Sequence, residues 1–331
     1  MSELIKKSIK KFYDFWFQKE STLTLGFFRI VFGIFIFVVL LLSYFDWEEF
    51  YGIQGMITLD RFVNARGGWF LASFKSLFAL SDFPQFIWVI YGATLLTTIA
   101  FILGLGTRIT TIILYILWFS ICNRNTAILD GKDVIIRMLL FYSCFAPLGN
   151  RLSVDNFLRR KWGKKHQRLT QYYPQKKSVW SWRLLQLSIA LIYPLSALDK
   201  LRSDIAWREG NIMYYISLYD GWFRFSDVDF FHNHLMSMAM TYSTLILELS
   251  FCIFIWFKRT KYPMLILMSL LHISIAILMN AFVLQISTVM LVSYTLFLEP
   301  ETVRKFLGYF QRNYRFSIGE WGIENQELSN K

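Results

Sequence analysis

Charge and cysteine are both in short supply in this chain, and each shortage excludes something. Of 331 residues only 18% are charged, against 55% hydrophobic and 19% aromatic, and the charges cluster between long apolar runs. That pattern rules out a disordered chain and argues against an ordinary soluble globule, whose apolar residues are interrupted every few positions. The three cysteines, Cys122, Cys144 and Cys252, fall inside apolar runs without a Cys-x-x-Cys spacing. Neither a disulfide framework nor a cysteine zinc site is indicated. No G-x-x-x-x-G-K, G-x-S-x-G or H-E-x-x-H string occurs, so nucleotide binding, a serine elbow and zincin chemistry have no support. His232 and His234, with Asp227 and Asp229 nearby, could begin a metal site, but solvated loop residues are the commoner case and no metal is expected.

The long apolar runs are what the chain has in abundance. A spanning helix needs roughly 20 mostly apolar residues, and eight runs approach that length: 24–45, 84–104, 108–124, 131–149, 179–199, 236–257, 262–282 and a short last one at 285–299. The expected fold is all-α, a polytopic membrane helix bundle of about eight transmembrane helices. Segment 60–80 is apolar but carries Arg61, Arg66 and Lys75, which predicts an amphipathic helix lying at the interface. With the N-terminus inside, inner segments hold 23 Lys and Arg and outer segments 9, which is the excess expected of cytoplasmic loops. The division is then a basic cytoplasmic N-terminus at 1–23, a transmembrane domain at 24–299 and a cytoplasmic tail at 300–331. A basic inner loop lies at 150–177 and outer loops at 46–83 and 200–235. A multi-pass protein of the cell membrane with both termini cytoplasmic is expected. The net charge of +12 then needs no nucleic acid; Arg159, Arg160, Lys161, Lys164 and Lys165 suit anionic membrane lipid. Lys6, Lys7, Lys10 and Lys11 precede an apolar run too long for a signal peptide, so an uncleaved first span is read there.

Ionisable groups inside spans are costly and call for an explanation. Arg29 and Arg183, about a turn inside their spans, are expected to snorkel to the inner interface. Glu248 and His272 lie near mid-span on runs joined by the short loop 258–261, so a hydrogen bond between them would satisfy both. At the outer ends stand Asn125 after the third run, Asp130, Lys132, Asp133 and Arg137 in the fourth, Asp199 and Lys200 after the fifth, and Asn280 after the seventh. His272 and Asn280, eight apart, would share a helix face. A cavity lined by Lys200, Asp133, Arg137, Asn125 and Asn280 is the expected site. Lysine in an apolar setting is a group that readily turns into a base; the plainer reading of Lys200 is an interfacial anchor balancing Asp199.

Several stretches together resemble the HTTM (horizontally transferred transmembrane) family, which includes the vitamin K-dependent gamma-carboxylase. They are Leu25-Gly26-Phe27-Phe28-Arg29-Ile30-Val31-Phe32-Gly33, Gly104-Leu105-Gly106-Thr107-Arg108, Ser153-Val154-Asp155 and Asp199-Lys200-Leu201 followed by Trp207-Arg208-Glu209-Gly210, with His272 later. The resemblance covers roughly residues 20–300. It implies an outward-facing site in which Lys200 acts as base, with a reduced quinone as lipophilic cofactor, His272 and Asp133 as further catalytic residues and Trp207 in the cavity. The carboxylase's large lumenal region has no counterpart in the roughly 30 residues after the last run, so carboxylation of protein glutamate is not expected. Short bacterial relatives are linked to maturation of secreted peptide toxins, which implies a secreted peptide or small partner protein. The aromatic outer loop with Tyr214, Tyr215, Tyr219, Trp222, Phe223 and Phe225 suits such binding, although interfacial belts give the same composition. A transporter ranks lower, because the two halves lack matching Gly- or Pro-broken spans.

Overall fold

In a computed structural model, which describes residues 2–163 and 176–314, the apolar runs fold as helices. Two compact units divide the chain, residues 1–185 with 298–331 and residues 186–297. The first contains α1 (Ser2–Phe17), β1 (Lys19–Ser21), α2 (Leu23–Leu42), α3 (Trp47–Tyr51), α4 (Leu59–Ala65), α5 (Trp69–Lys75), α6 (Phe86–Leu103), α7 (Thr107–Arg124), α8 (Gly131–Ser143), α9 (Val154–Gly163) and β2 (Lys176–Ser178). Helix α10 (Trp180–Ser203) begins there and runs on into the second unit, which adds α11 (Ile205–Glu209), α12 (Ile212–Ser217), α13 (His234–Phe254), α14 (Lys258–Leu278) and α15 (Ala281–Ser293). The chain then returns to the first unit as α16 (Pro300–Tyr314). Lys164 and Lys165 in the basic loop, and the end of the tail from Glu324, lie outside the described residues.

Five helices, α2, α6, α10, α13 and α14, are long and apolar enough to cross a membrane, and a sixth crossing arises if Val283–Phe297 and Pro300–Tyr309, bent by 108°, form one span. Helix α7 is 18 residues long with an arginine at each end, Arg108 and Arg124. Helices α8 and α15 have 13 residues each, or about 20 Å at 1.5 Å per residue, short of a hydrocarbon core of about 30 Å. The single interfacial helix expected at 60–80 is instead two short helices, α4 and α5, and a 3-10 turn at Leu77–Leu80. Gly67 and Gly68, at φ 81° and 103°, break it, since only glycine enters that region freely.

The first unit is held by a cation with no route to water. Arg29 is fully buried; it does not snorkel. Its Nη1 donates to the Leu148 carbonyl at 2.8 Å, and Nη2 donates to the carbonyls of Ile102, at 3.3 Å, and Leu152. Ile102 lies in the last turn of α6, where helix carbonyls lack intrahelical partners and carry partial negative charge. The guanidinium and the stranded carbonyls satisfy one another. Gly104 ends α6 in the left-handed region, and a Cβ there would meet Ser153 Cβ at 2.5 Å and Arg29 Nη1 at 2.7 Å. Next to it, the Asp155 carboxylate accepts from the Gly106 and Thr107 amides, each at 2.8 Å, and from Thr107 Oγ1 at 2.7 Å, capping the start of α7. Three stretches far apart in sequence, at 25–33, 104–108 and 153–155, thus meet in one clasp.

Arg183 does not snorkel freely either. Its guanidinium lies over the Phe15 ring at 4.9 Å, donates from Nε to the Phe15 carbonyl at 3.2 Å and stands 3.7 Å from the Glu20 carboxylate.

Replacing Arg29 with Met leaves two buried carbonyls and one partly buried carbonyl without their donor, at about 1–3 kcal/mol for each buried group left unsatisfied. Arg29→Met is therefore expected to lower the thermal midpoint in detergent sharply or to prevent folding. Arg29→Lys, a point charge without the fork, recovers only part of the loss. Thermal challenge followed by fluorescence-detected size-exclusion chromatography measures both, and an unchanged midpoint in Arg29→Met refutes the clasp.

Candidate functional site

In the second unit, the C-terminal half of α10 carries Tyr193 and Lys200, seven residues and about two turns apart, which puts them on one face. Lys200 Nζ donates to Glu248 Oε1 of α13. It also stands over the Trp207 ring at 5.0 Å, a cation–π arrangement that offers a second stabilising surface to the ammonium. Glu248 is buried; the lysine side chain keeps 24% of its surface. The expected Glu248–His272 hydrogen bond is not formed: Glu248 accepts from Lys200, and His272 pairs with Tyr193 instead. Nor does Asp199 balance Lys200: neighbours in a helix point apart, and Asp199 is exposed.

His272 of α14 finds another partner. Its Nε2 is 2.8 Å from the Tyr193 hydroxyl, which is also hydrogen-bonded to the Tyr294 hydroxyl. All three side chains are buried, and Phe251, three residues after Glu248 on α13, packs on the Tyr193 ring at 4.7 Å and the Tyr294 ring at 5.8 Å. Gln186 secures the Tyr294 turn by donating to the Leu296 carbonyl at 2.8 Å. Two polar groups therefore lie side by side in an apolar interior: an amine with a carboxylate, and an imidazole with two phenols. Glu248 Oε2 and His272 Nδ1 are buried without a hydrogen-bond partner among the described residues. Such orphaned atoms are costly in a structure; here they are the free ends of both groups.

Trp207 reaches Lys200 because of the glycine behind it. Gly210 ends α11 at φ 78°, and a Cβ there would meet Met238 Cγ at 2.9 Å and Tyr242 Cε2 at 3.0 Å. Its carbonyl accepts from Ser237 Oγ at 2.8 Å and Thr241 Oγ1 at 3.2 Å, while Tyr242 OH donates to the Arg208 carbonyl at 2.9 Å. The Trp-Arg-Glu-Gly stretch is thereby pinned along α13.

The other expected site residues are engaged locally. Asn280 does not share a helix face with His272, because α14 ends at Leu278. Its amide donates to the Asp220 carbonyl at 2.7 Å, and Arg224 donates to the Met279 carbonyl at 3.0 Å, fastening the aromatic loop to the end of α14. In the first unit, Asn125 donates to the Phe50 carbonyl at 3.0 Å and accepts from the Ala127 amide at 3.1 Å. Asp133 accepts from the Asp130 amide at 3.2 Å and, with Asp130, receives the Lys132 ammonium, so it caps α8. Arg137 is half-buried one turn further along that helix. His232 Nδ1 lies 3.8 Å from Asp229 in a 3-10 turn, and His234 opens α13. Tyr193 and Tyr294 escaped the sequence reading. The seven-residue spacing to Lys200 could have flagged Tyr193, whereas Tyr294 had no such signal.

Long apolar helices enclosing a lysine–carboxylate pair define a multi-pass membrane protein with an ionisable centre inside one unit. The HTTM domain family matches residues 17–301, and the chain belongs to it. The HTTM domain is a membrane domain of the gamma-carboxylase family. No solved structure matches the chain.

Lys200→Met leaves Glu248 buried without its partner, which costs about 3–5 kcal/mol when a buried pair is broken from one side. The double variant Lys200→Met, Glu248→Gln is expected to recover most of the thermal midpoint lost in Lys200→Met. Additive losses across the cycle would mean the two side chains do not interact.

Proposed function

We propose that this protein is a membrane enzyme of gamma-carboxylase-like type, in which Lys200 and Glu248 handle a proton at a site for a lipophilic, hydroxyl-bearing aromatic such as a reduced quinone. The observation carrying this reading is the pairing of Lys200 with a buried carboxylate above the Trp207 indole. The Lys200 amine donates directly to the Glu248 carboxylate, which gives a proton a direct path between them. Lys200 then gives its proton to Glu248 and takes one from a substrate hydroxyl. The residues fit such a ligand: an aromatic face at Trp207 and two buried atoms, Glu248 Oε2 and His272 Nδ1, with hydrogen-bonding capacity to spare. A quinol would supply an acidic hydroxyl and reducing equivalents. Tyr193 and Tyr294 hold the His272 ring and connect it to further hydroxyl protons. The substrate is a peptide or lipid met from the outer side, with both termini cytoplasmic, as the Lys and Arg distribution supports.

The second reading is a maturation component that presents a secreted peptide without chemistry of its own. Its support is the aromatic loop before α13, where Tyr215, Tyr219, Trp222 and Phe230 are each close to half exposed or more.

Oxygen uptake by the purified protein with a reduced naphthoquinone separates the two. The enzyme reading expects turnover in the wild type, its loss in Lys200→Ala with folded protein still recovered, and its loss in Lys200→Arg, which keeps charge but cannot act as a base. Tyr193→Phe, which frees the His272 ring, is expected to lower turnover by about 10-fold or more, in the range of a general acid–base contribution. Peptide maturation that survives Lys200→Arg favours the presenting role.

A further inference from the structure

Helix α1 is strongly amphipathic, and its apolar face is bare. Ile5, Ile9, Phe12, Tyr13 and Trp16 recur at helical spacing on one side, with Lys7, Lys10 and Lys11 on the opposite side and Lys6 at the boundary. Ile5, Ile9, Phe12 and Tyr13 are 53%, 63%, 66% and 61% exposed. In water that face would be a liability.

The depth of the helix follows from what holds its end. Strands β1 and β2 pair antiparallel, Lys19 opposite Ser178 and Ser21 opposite Lys176. Leu23 opens α2 and Trp180 opens α10 directly after these strands. Two spanning helices thus start on the same side of the membrane, from one short hairpin-like pair at its edge. Arg183 clamps Phe15, in the last turn of α1, to the start of α10. The helix therefore leaves the bundle at head-group level with five residues between its end and the first turn of α2. Beside that turn, α16 adds a second element of the same kind. Val303 packs with Leu23 and Leu152, Phe306 meets Phe27 at 5.8 Å, and Tyr309 remains 60% exposed.

We propose that α1 lies in the plane of the leaflet from which α2 and α10 start, as a docking surface for anionic phospholipid. Its isoleucines and aromatic rings enter the acyl boundary, and Lys6, Lys7, Lys10 and Lys11 engage phosphate-bearing head groups. This stands independently of any chemistry at Lys200.

The test is hydrogen–deuterium exchange of the full chain in nanodiscs, either of phosphatidylcholine alone or with phosphatidylglycerol added. An undocked α1 frays and exchanges fast, whereas a docked one is protected. The amides of 2–17 are expected to exchange at least about tenfold more slowly in the phosphatidylglycerol discs. High salt narrows that difference, and it vanishes in the variant Lys6→Gln, Lys7→Gln, Lys10→Gln, Lys11→Gln, with exchange in α6 unchanged as a control for folding. Equal exchange in both discs overturns the proposal: equally fast if the face is bare or awaits a protein, equally slow if it inserts without regard to charge.

Discussion

Without water, every charge and every unpaired backbone group must find its partner inside the protein, and the Arg29 clasp shows what that demands. A helix that ends within the bundle leaves carbonyls without donors, and a buried guanidinium lacks acceptors. Setting Arg29 against the carbonyls of Ile102, Leu148 and Leu152 answers both needs at once. The glycines of the clasp follow from it. Gly104 gives the guanidinium room, and Gly26 lets α2 approach the Arg151 carbonyl, 2.6 Å from where a Cβ would stand. The family stretches in this unit thus have a structural meaning: they close helix ends.

In the second unit the same constraint is met differently. Lys200 and Glu248 answer each other as an acid and a base, and His272 is answered by two phenols. Arg29 cannot give up its proton under ordinary conditions, whereas lysine, glutamate, histidine and tyrosine can. Arg29 therefore serves as a permanent fastener, while the partly exposed Lys200 sits among side chains that can each gain or lose a proton. The Glu248 and His272 atoms left without partners mark where this second network is incomplete.

The helical membrane character of the chain was legible from the apolar runs, because a bilayer imposes length and hydropathy on each segment separately. Lys200, Glu248, His272 and Trp207 were also legible, as residue types the bilayer does not tolerate or as parts of a motif. Their pairing was not. Glu248 and His272 stood at similar depth on consecutive helices, yet each bonds to α10, since rotation about a helix axis decides which face meets which neighbour. The amphipathic helix was expected at 60–80, where Gly67 and Gly68 interrupt it. The longer one, α1, was read only as a basic prelude to the first span.

Sequence alone thus determined the solvent in which this protein folds, the approximate extent of its long helices and the ionisable residues that needed an explanation. These are properties of single segments, set by composition and by the rise of a helix. Tertiary structure decided the partners: three distant carbonyls for Arg29, a carboxylate and an indole for Lys200, two phenols for His272. Such contacts depend on helix rotation and on where each helix stops, and a linear pattern of apolar residues records neither.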